Sequence, residues 1–249
     1  MARPLIVGNW KSYVNSLKEG KKLFKDIEKG LPKQLKADVV LCPPFPLLDS
    51  LSRNYRGSRI DFGAQDVFYE EGAHTGEVSA ELVKDTKSKY VIVGHAERRA
   101  RGETDEEVAK KVGAVLDARM TPIVCVGECS RDKEGHYLAE LKESVLASLA
   151  LVAPTTLKKI VIAYEPVWAI GSPLPPTGRT IREATIFIRK VLAEKFDRKD
   201  VLKLRIIYGG AVNDDNIVEL IEESDANGFL LGRAAVHAEE FSTIVRAFH

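Results

Sequence analysis

The sequence has few cysteines, no excess of charge of either sign and no long apolar run. Its 249 residues include three cysteines, Cys42, Cys125 and Cys129, and an odd number without paired spacing argues against a disulfide framework. The interval between Cys125 and Cys129 also differs from the C-x-x-C spacing of zinc and redox sites. With 37 basic and 36 acidic residues spread along the chain, no basic stripe indicates nucleic acid or a membrane surface as a partner.

The sequence also lacks the segments that would place the protein in or across a membrane. No run of about 18 apolar residues is present, so the sequence predicts no transmembrane helix. The segment Met1–Pro4 precedes only a short strand-like run and lacks the apolar region of a secretory signal. We therefore expect a cytoplasmic protein whose cysteines stay reduced. The content of 45% apolar and 29% charged residues is typical of one globular domain, here predicted over residues 1–249.

The sequence does contain a regular alternation of short apolar runs and longer charged stretches. The apolar runs are rich in β-branched residues and are predicted strands: Leu5–Trp10, Ala37–Cys42, Ile60–Ala64, Tyr90–His95, Pro122–Val126, Ile160–Tyr164, Leu204–Tyr208 and Gly228–Leu231. The charged stretches have helical periodicity and are predicted helices: Leu17–Glu28, Glu103–Arg119, Tyr137–Leu149, Glu183–Phe196, Asn216–Glu223 and Ala238–Phe248. Two shorter helices are predicted after Pro46 and after Ser79.

Continuous apolar runs, rather than alternating ones, indicate strands that are covered on both faces, as in a parallel sheet. Eight strand–helix units of roughly 30 residues predict an α/β fold, the single-domain (β/α)₈ barrel. An open doubly wound sheet is the alternative, but it usually carries a glycine-rich phosphate loop after its first strand. Here the first strand ends in Gly8-Asn9-Trp10-Lys11, which favours the barrel.

In such a barrel, the active site lies at the carboxyl ends of the strands. The predicted ends carry residues that are able to do chemistry or to let an anion approach: Asn9, Lys11, Gln65, His95, Glu97, Glu128, Glu165, Gly209, Gly210, Gly232 and Arg233. Each of them alone is commonly structural, since a single histidine or glutamate at a strand end is often only a cap. Their convergence on one rim favours a catalytic site.

The absence of several known motifs excludes some classes of reaction. No cluster has the spacing of metal-ligating His, Cys or carboxylate groups, so we expect neither a metal nor another cofactor. No G-x-S-x-G elbow or Walker loop is present. One carboxylate, one imidazole, one ammonium and paired glycines are typical of proton transfer beside a carbonyl. The glycines would admit a substrate phosphate to backbone N–H groups.

Segments along essentially the whole chain resemble the triosephosphate isomerase family. They are Gly8–Lys11, Ala64–Asp66, Gly76–Ser79, Gly94–Arg99, Cys125–Glu128, Tyr164–Gly171, Tyr208–Gly210 and Gly228–Gly232. The resemblance implies an isomerase of glycolysis and gluconeogenesis that interconverts dihydroxyacetone phosphate and D-glyceraldehyde 3-phosphate without a cofactor.

The resemblance also implies roles for individual residues. Glu165 would be the catalytic base and His95 the electrophile, a pairing of glutamate with neutral imidazole for which this family is itself a standard example. Lys11 would supply positive charge, Asn9 would orient the substrate, and Glu97 would hold Lys11. The implied substrate-binding residues are Asn9, Lys11, Gly171, Ala211, Gly232 and Arg233, and the implied supporting residues are Glu97, Cys125 and Gly210.

Residues Pro166–Thr177 correspond to the family's lid, in which Gly171 would donate its N–H to the phosphate. This segment carries more prolines than is usual, and proline restricts the backbone. We therefore expect a stiffer lid that moves about hinges at its two ends. The following Thr180-Ile181-Arg182-Glu183 matches a capping box, which predicts that the next helix begins near Ile181.

Three further departures from the family pattern concern the site. Ala96 stands where the family usually has a serine that holds the glutamate in the open state, and Ala211 replaces a serine near the phosphate. Arg233 replaces a glycine, and its side chain either bonds the phosphate or turns outward to solvent. These changes keep open an alternative function, a barrel isomerase of a related aldose or ketose phosphate with an altered phosphate grip. A non-enzymatic descendant is disfavoured because Glu165 and His95 are both present.

The loop Asp66–Ser79 is long enough to be functional. By resemblance it inserts into a neighbouring subunit, which implies a homodimer and leaves a tetramer open. The alternative is a lid over the chain's own site. His74 stands where the family commonly has an aromatic residue, and it would make the subunit contact depend on pH.

Overall fold

The computed structural model describes residues 3–169 and 175–248. Eight parallel strands form a closed barrel in chain order: β1 (Leu5–Asn9), β2 (Asp38–Cys42), β3 (Asp61–Ala64), β4 (Tyr90–Val93), β5 (Thr121–Val126), β6 (Val161–Tyr164), β7 (Arg205–Gly209) and β8 (Gly228–Leu231). The barrel closes where β1 pairs with β8, in the register that sets Leu5 beside Gly228. The predicted (β/α)₈ fold is confirmed.

The strands are apolar throughout because both of their faces are buried. All five residues of β1 are buried. Leu5 and Val7 pack in a cluster of strand residues inside the barrel, whereas Ile6 belongs to the larger core shared with the surrounding helices. This arrangement is the physical reason for the continuous apolar runs in the sequence.

Helices cover the outside of the barrel. They are α1 (Leu17–Gly30), α2 (Phe45–Asn54), α3 (Ala80–Asp85), α4 (Ala96–Arg99), α5 (Asp105–Asp117), α6 (Tyr137–Ser148), α7 (Gly178–Leu192), α8 (Arg198–Lys203), α9 (Ile217–Glu223) and α10 (Ala238–Arg246). The two short helices predicted after Pro46 and Ser79 correspond to α2 and α3. In the described parts of the chain, no helix combines the length and the apolar character needed to cross a membrane.

The start of α7 differs from the prediction. Thr177 is its N-cap, with Oγ1 accepting the N–H of Thr180 at 3.2 Å, so the helix begins at residue 178 rather than near Ile181. The predicted capping box is wrong because Glu183 does not reach back to the cap. Its carboxylate lies 3.3 Å from the guanidinium of Arg131 on a neighbouring loop.

The chain also leaves β4 earlier than predicted. Gly94 has a φ of 71°, a left-handed conformation that glycine adopts without strain, and the strand ends at Val93. His95 is therefore not a strand residue but the N-cap of α4. This turn places the imidazole at the carboxyl end of the barrel, and the sequence pattern did not predict the short helix behind it.

Candidate active site

The loop after β1 is built to present Lys11. This lysine has a φ of 47°, and its N–H donates to Oδ1 of Asn9 at 3.0 Å. The side-chain amide of Gln65 donates to the carbonyl oxygens of Lys11 and Cys42, at 3.0 Å and 2.9 Å. Asn9 at the end of β1 and Gln65 just after β3 thus hold the unusual backbone conformation of Lys11.

Glu165 and His95 meet in one buried pocket. Oε1 of Glu165 lies 3.3 Å from Nε2 of His95, and the two side chains are only 8% and 10% exposed. The other carboxylate oxygen of Glu165 accepts the N–H of Ala96 at 3.0 Å. The ends of β4 and β6 therefore bring together the two predicted catalytic groups, which are 70 positions apart in the chain.

The environment of His95 selects one tautomer of its ring. Nδ1 accepts the backbone N–H of Glu97 at 3.2 Å. A ring nitrogen that accepts a hydrogen bond carries no proton, so the proton of the neutral imidazole is on Nε2. The N–H that faces Glu165 is thus the one available to a substrate oxygen.

Lys11 and Glu97 form the predicted ion pair. Nζ of Lys11 lies 2.6 Å from Oε1 of Glu97. Partial burial would raise the pKa of Glu97, but the hydrogen bond and charge of Lys11 outweigh it and lower that pKa. Gly232 leaves room beside this pair, since a Cβ there would lie 3.2 Å from Cε and 3.5 Å from Nζ of Lys11.

Two glycines make space for Glu165. A Cβ at Gly209 would lie 2.8 Å from Cγ of Glu165, and a Cβ at Gly127 would lie 1.9 Å from its carbonyl oxygen. Gly210 has a comparable role, because its Cβ would meet the hydroxyl of Tyr208 at 2.1 Å. The contacts explain why small residues stand at these strand ends, and they do not by themselves assign an anion-binding role.

Cys125 lies below the carboxylate of Glu165. Burial, and then the nearby charge of Glu165, raise the pKa of its thiol well above the usual value. Cys125 therefore stays a neutral thiol beside the base. Its carbonyl oxygen accepts a hydrogen bond from the guanidinium of Arg99 at 3.3 Å, and Arg99 also donates to the carbonyl of Gly94 at 2.8 Å.

Glu128 anchors the segment that follows Glu165. Its Oε1 accepts hydrogen bonds from the hydroxyl of Tyr164 and from Nε1 of Trp168, both at 2.8 Å. Its backbone carbonyl accepts the N–H of Val167 at 3.0 Å. Burial raises the pKa of Glu128, although these side-chain hydrogen bonds act in the opposite direction. Glu128 thus holds the first residues of the predicted lid, Val167 and Trp168.

Sequence reasoning missed the roles of Gly127 and Arg99. Both residues lie inside segments that carry the family resemblance. Their structural roles were not predicted, because these roles depend on contacts with Glu165 and Cys125 that local sequence patterns do not reveal.

The predicted phosphate-binding residues are placed only in part. Gly171 lies outside the described residues. Ala211 is exposed, and its carbonyl oxygen accepts a hydrogen bond from the side-chain amide of Asn216 at 3.0 Å. Arg233 is exposed and begins the 3₁₀ turn Arg233–Val236. Its assignment to substrate binding stays a prediction.

Among the described residues, Asp132, Glu134 and His136 lie close enough together to hold a metal ion. Glu134 and His136 are exposed. Oδ1 of Asp132 already accepts the N–H groups of Gly135 and His136, at 2.6 Å and 2.9 Å. We assign no metal to this loop.

Comparisons with known proteins agree with the geometry. The family model described as "Triosephosphate isomerase" matches residues 4–248. The chain is 40% identical to the triosephosphate isomerase of Endomicrobium trichonymphae and 42% identical to that of Carboxydothermus hydrogenoformans, with 99% of each chain covered in both cases. The crystal structure of triosephosphate isomerase from Bartonella henselae superimposes with a TM-score of 0.87 at 32% identity, over 99% of both chains. This chain belongs to the triosephosphate isomerase family.

Proposed function

We propose that this chain interconverts dihydroxyacetone phosphate and D-glyceraldehyde 3-phosphate by proton transfer through an enediolate. The observation that carries the proposal is the shared pocket in which Oε1 of Glu165 faces Nε2 of His95 at 3.3 Å. A carboxylate base and a neutral N–H donor at that spacing suit the removal of a proton beside a carbonyl group.

The proposed reaction uses three side chains. Glu165 takes a proton from the carbon beside the carbonyl, and the electron pair moves to the carbonyl oxygen. His95 donates a hydrogen bond from Nε2 to that oxygen, and the ammonium of Lys11 stabilises the negative charge of the enediolate. The hydroxyl proton then moves from the oxygen of the deprotonated carbon to the former carbonyl oxygen, beside Nε2 of His95. Glu165 returns its proton to the former carbonyl carbon, and the new carbonyl forms at the carbon that was first deprotonated.

Substrate entry must rearrange the resting contacts of the base. Glu165 is held by the N–H of Ala96 at 3.0 Å and faces His95. A substrate oxygen that binds Nε2 of His95 takes the place of Oε1, and the carboxylate is released toward the substrate carbon. Ala96 has no hydroxyl, so its backbone N–H alone supplies the hydrogen bond from this residue.

We propose that the phosphate is bound by backbone N–H groups and one charge. The N–H groups would come from Gly171, Ala211, Gly232 and Arg233. Asn9 would orient the substrate, and the ammonium of Lys11 would lie close to both the phosphate and the enediolate. The space left by Gly232 beside Nζ of Lys11 supports this placement.

We also propose a cytoplasmic homodimer that forms through the loop Asp66–Ser79. The base of this loop is held by Lys111, whose Nζ donates to both oxygens of Asp66 at 2.8 Å and 2.9 Å. Its far end, including Thr75, Gly76 and Glu77, is exposed. Sedimentation equilibrium tests the assembly, and a fully active monomer at micromolar concentration would refute it.

A coupled assay tests the activity. Both triose phosphates, and competing aldose and ketose phosphates of other lengths, are supplied separately to the wild type and to Glu165→Gln. We expect turnover of the triose phosphates that depends on Glu165. A higher kcat/KM for another sugar phosphate would replace the triose assignment with the alternative isomerase.

A further inference from the structure

A groove with a volume of about 610 Å³ lies next to the candidate active site. One wall comes from the chain after Lys11 and from α1, and the other comes from the 3₁₀ turn Arg233–Val236 and the start of α10. Its volume is within the range of pockets that bind small molecules, about 300–1,000 Å³. Lys11, Glu97 and Glu165 do not line it, so it is distinct from the catalytic pocket.

The groove combines an apolar floor with a polar rim. Val14, Leu23, Val236 and Ala238 contribute the apolar part. Tyr13, which is 45% exposed, adds an aromatic ring at the edge. A surface of this kind favours a flat, weakly polar group over a bare inorganic ion.

The acidic side chains of the rim are already engaged. Asp26 forms an ion pair with Lys22, with Oδ2 and Nζ 2.7 Å apart. The carboxylate of Glu19 accepts the N–H of Asn15 at 3.1 Å. The charge of Asp26 is therefore balanced by Lys22, whereas Glu19 keeps its negative charge.

Arg233 is a basic residue of the rim whose charge is not balanced by an ion pair within the described residues. It is exposed, and within residues 3–169 and 175–248 its guanidinium forms neither a hydrogen bond nor an ion pair. His237, also exposed, lies on the same side of the groove. A guanidinium presents a planar set of N–H donors that matches a phosphate in two parallel hydrogen bonds.

We propose that this groove binds a small aromatic phosphate ester, with the phosphate on Arg233 and the ring on Tyr13 and the apolar floor. The backbone of Arg233 belongs to the 3₁₀ turn beside Gly232, whereas its side chain lines the groove and binds the phosphate of the groove ligand. The site is therefore a neighbour of the phosphate end of the catalytic pocket and has its own ligand.

The test is a titration of the full chain with phenyl phosphate, followed by calorimetry and by NMR shifts. It is carried out in a Lys11→Met background, which weakens anion binding in the catalytic pocket, and the effects of changes at Arg233 and Tyr13 then report on the groove. We expect Arg233→Gln to weaken binding about tenfold or more, because a charged hydrogen-bond donor is lost. Tyr13→Ser should weaken it about three- to tenfold, through loss of the aromatic contact.

The matched control is Arg198→Gln, which removes an exposed arginine from α8, a helix that does not line the groove. It should bind phenyl phosphate as the background protein does. Phenyl phosphate binding that Arg233→Gln leaves unchanged overturns the proposal, as does an absence of binding. If inorganic phosphate binds with the same affinity as phenyl phosphate, the aromatic ring of the ligand makes no contribution, and the proposed contacts with Tyr13 and the apolar floor are wrong. The titration needs no turnover, so its result is independent of the proposed isomerase activity.

Discussion

Oε1 of Glu165 lies 3.3 Å from Nε2 of His95, so the proposed base and electrophile face each other in the resting protein. The geometry around His95 keeps its proton on Nε2, because Nδ1 is occupied by the N–H of Glu97. The pair is thus arranged as one proton acceptor and one hydrogen-bond donor, which are the two functions that an enediolate reaction requires.

The first prediction concerns the base. Glu165→Gln keeps the shape of the side chain but removes its ability to accept a proton, so kcat should fall about 10²–10⁴-fold. The coupled assay measures this, and the thermal unfolding temperature should stay close to that of the wild type. Glu143→Gln, an exposed change on α6, is the matched control and should keep full activity. A Glu165→Gln protein with wild-type kcat would remove Glu165 from the mechanism.

The second prediction concerns the pair between Lys11 and Glu97. Glu97→Gln removes the carboxylate that holds Nζ of Lys11 at 2.6 Å, and kcat/KM should fall about tenfold because the ammonium is no longer fixed. Lys11→Met should be more severe, since it removes the charge itself.

A double-mutant cycle shows whether Glu97 acts through Lys11. In the Lys11→Met background, the further change Glu97→Gln should have little effect on kcat/KM. Fully additive losses would mean that Glu97 has a separate role.

Much of this site was predictable from sequence because the barrel rule places strand ends on one rim. Lys11, His95 and Glu165 each lie at the end of a readily recognised apolar run, so their convergence on one rim could be predicted from the sequence. The start of α7 was not predictable in the same way, since Thr177 and Thr180 are both good capping residues and only tertiary contacts of Glu183 decide between them. The space that Gly209 leaves for Glu165 depends on two distant segments, which no local pattern encodes.

The third prediction concerns a buried ionic cluster at the base of the loop Asp66–Ser79. The side chain of Lys111 is 4% exposed and contacts the carboxylates of Asp66 and Glu103. Lys111→Met leaves Asp66 and Glu103 with the guanidinium of Arg98 but without their buried ammonium, so the free energy of unfolding should fall by up to about 3–5 kcal/mol. Urea denaturation followed by circular dichroism measures the change.

The control for this cluster is the adjacent residue of the same helix. Lys110 is exposed and lies over the ring of Tyr69 at 4.9 Å, an exposed contact worth about 0.5–1 kcal/mol. Lys110→Met should therefore lower the free energy of unfolding by no more than about 1 kcal/mol. Similar losses for Lys110→Met and Lys111→Met would mean that the burial of Lys111 has no special importance.

The fourth prediction concerns acid stability. Burial would raise the pKa of Glu103, but its hydrogen bonds with Lys111 and Arg98 outweigh burial and lower it. Its carboxylate thus stabilises the folded state above the unfolded pKa of about 4.3, and this contribution is lost as pH falls through the lower folded value. The decline in unfolding free energy between neutral and acid pH should be shallower in Glu103→Gln than in the wild type.

Asp66 supplies the opposing case in the same cluster. Burial raises its pKa, and the charge and hydrogen bond of Lys111 only partly offset that effect. Its protonation therefore favours the folded state as pH falls through the raised value. Asp66→Asn should make the acid decline steeper, and a shallower decline in both variants would contradict the assigned signs.

The fifth prediction concerns the phosphate grip. Ala211 lies in the loop after β7, whose backbone is held by the side chain of Asn216, so a serine at this position should not disturb the fold. A hydroxyl that reaches the phosphate adds one hydrogen bond worth about 0.5–1.5 kcal/mol, and KM for a triose phosphate should fall by up to about tenfold. Ala193→Ser, at an exposed position after α7, is the control and should leave KM unchanged. If Ala211→Ser leaves KM at the wild-type value as well, the side chain of residue 211 does not face the phosphate, and the loss of the family's serine has no effect on binding.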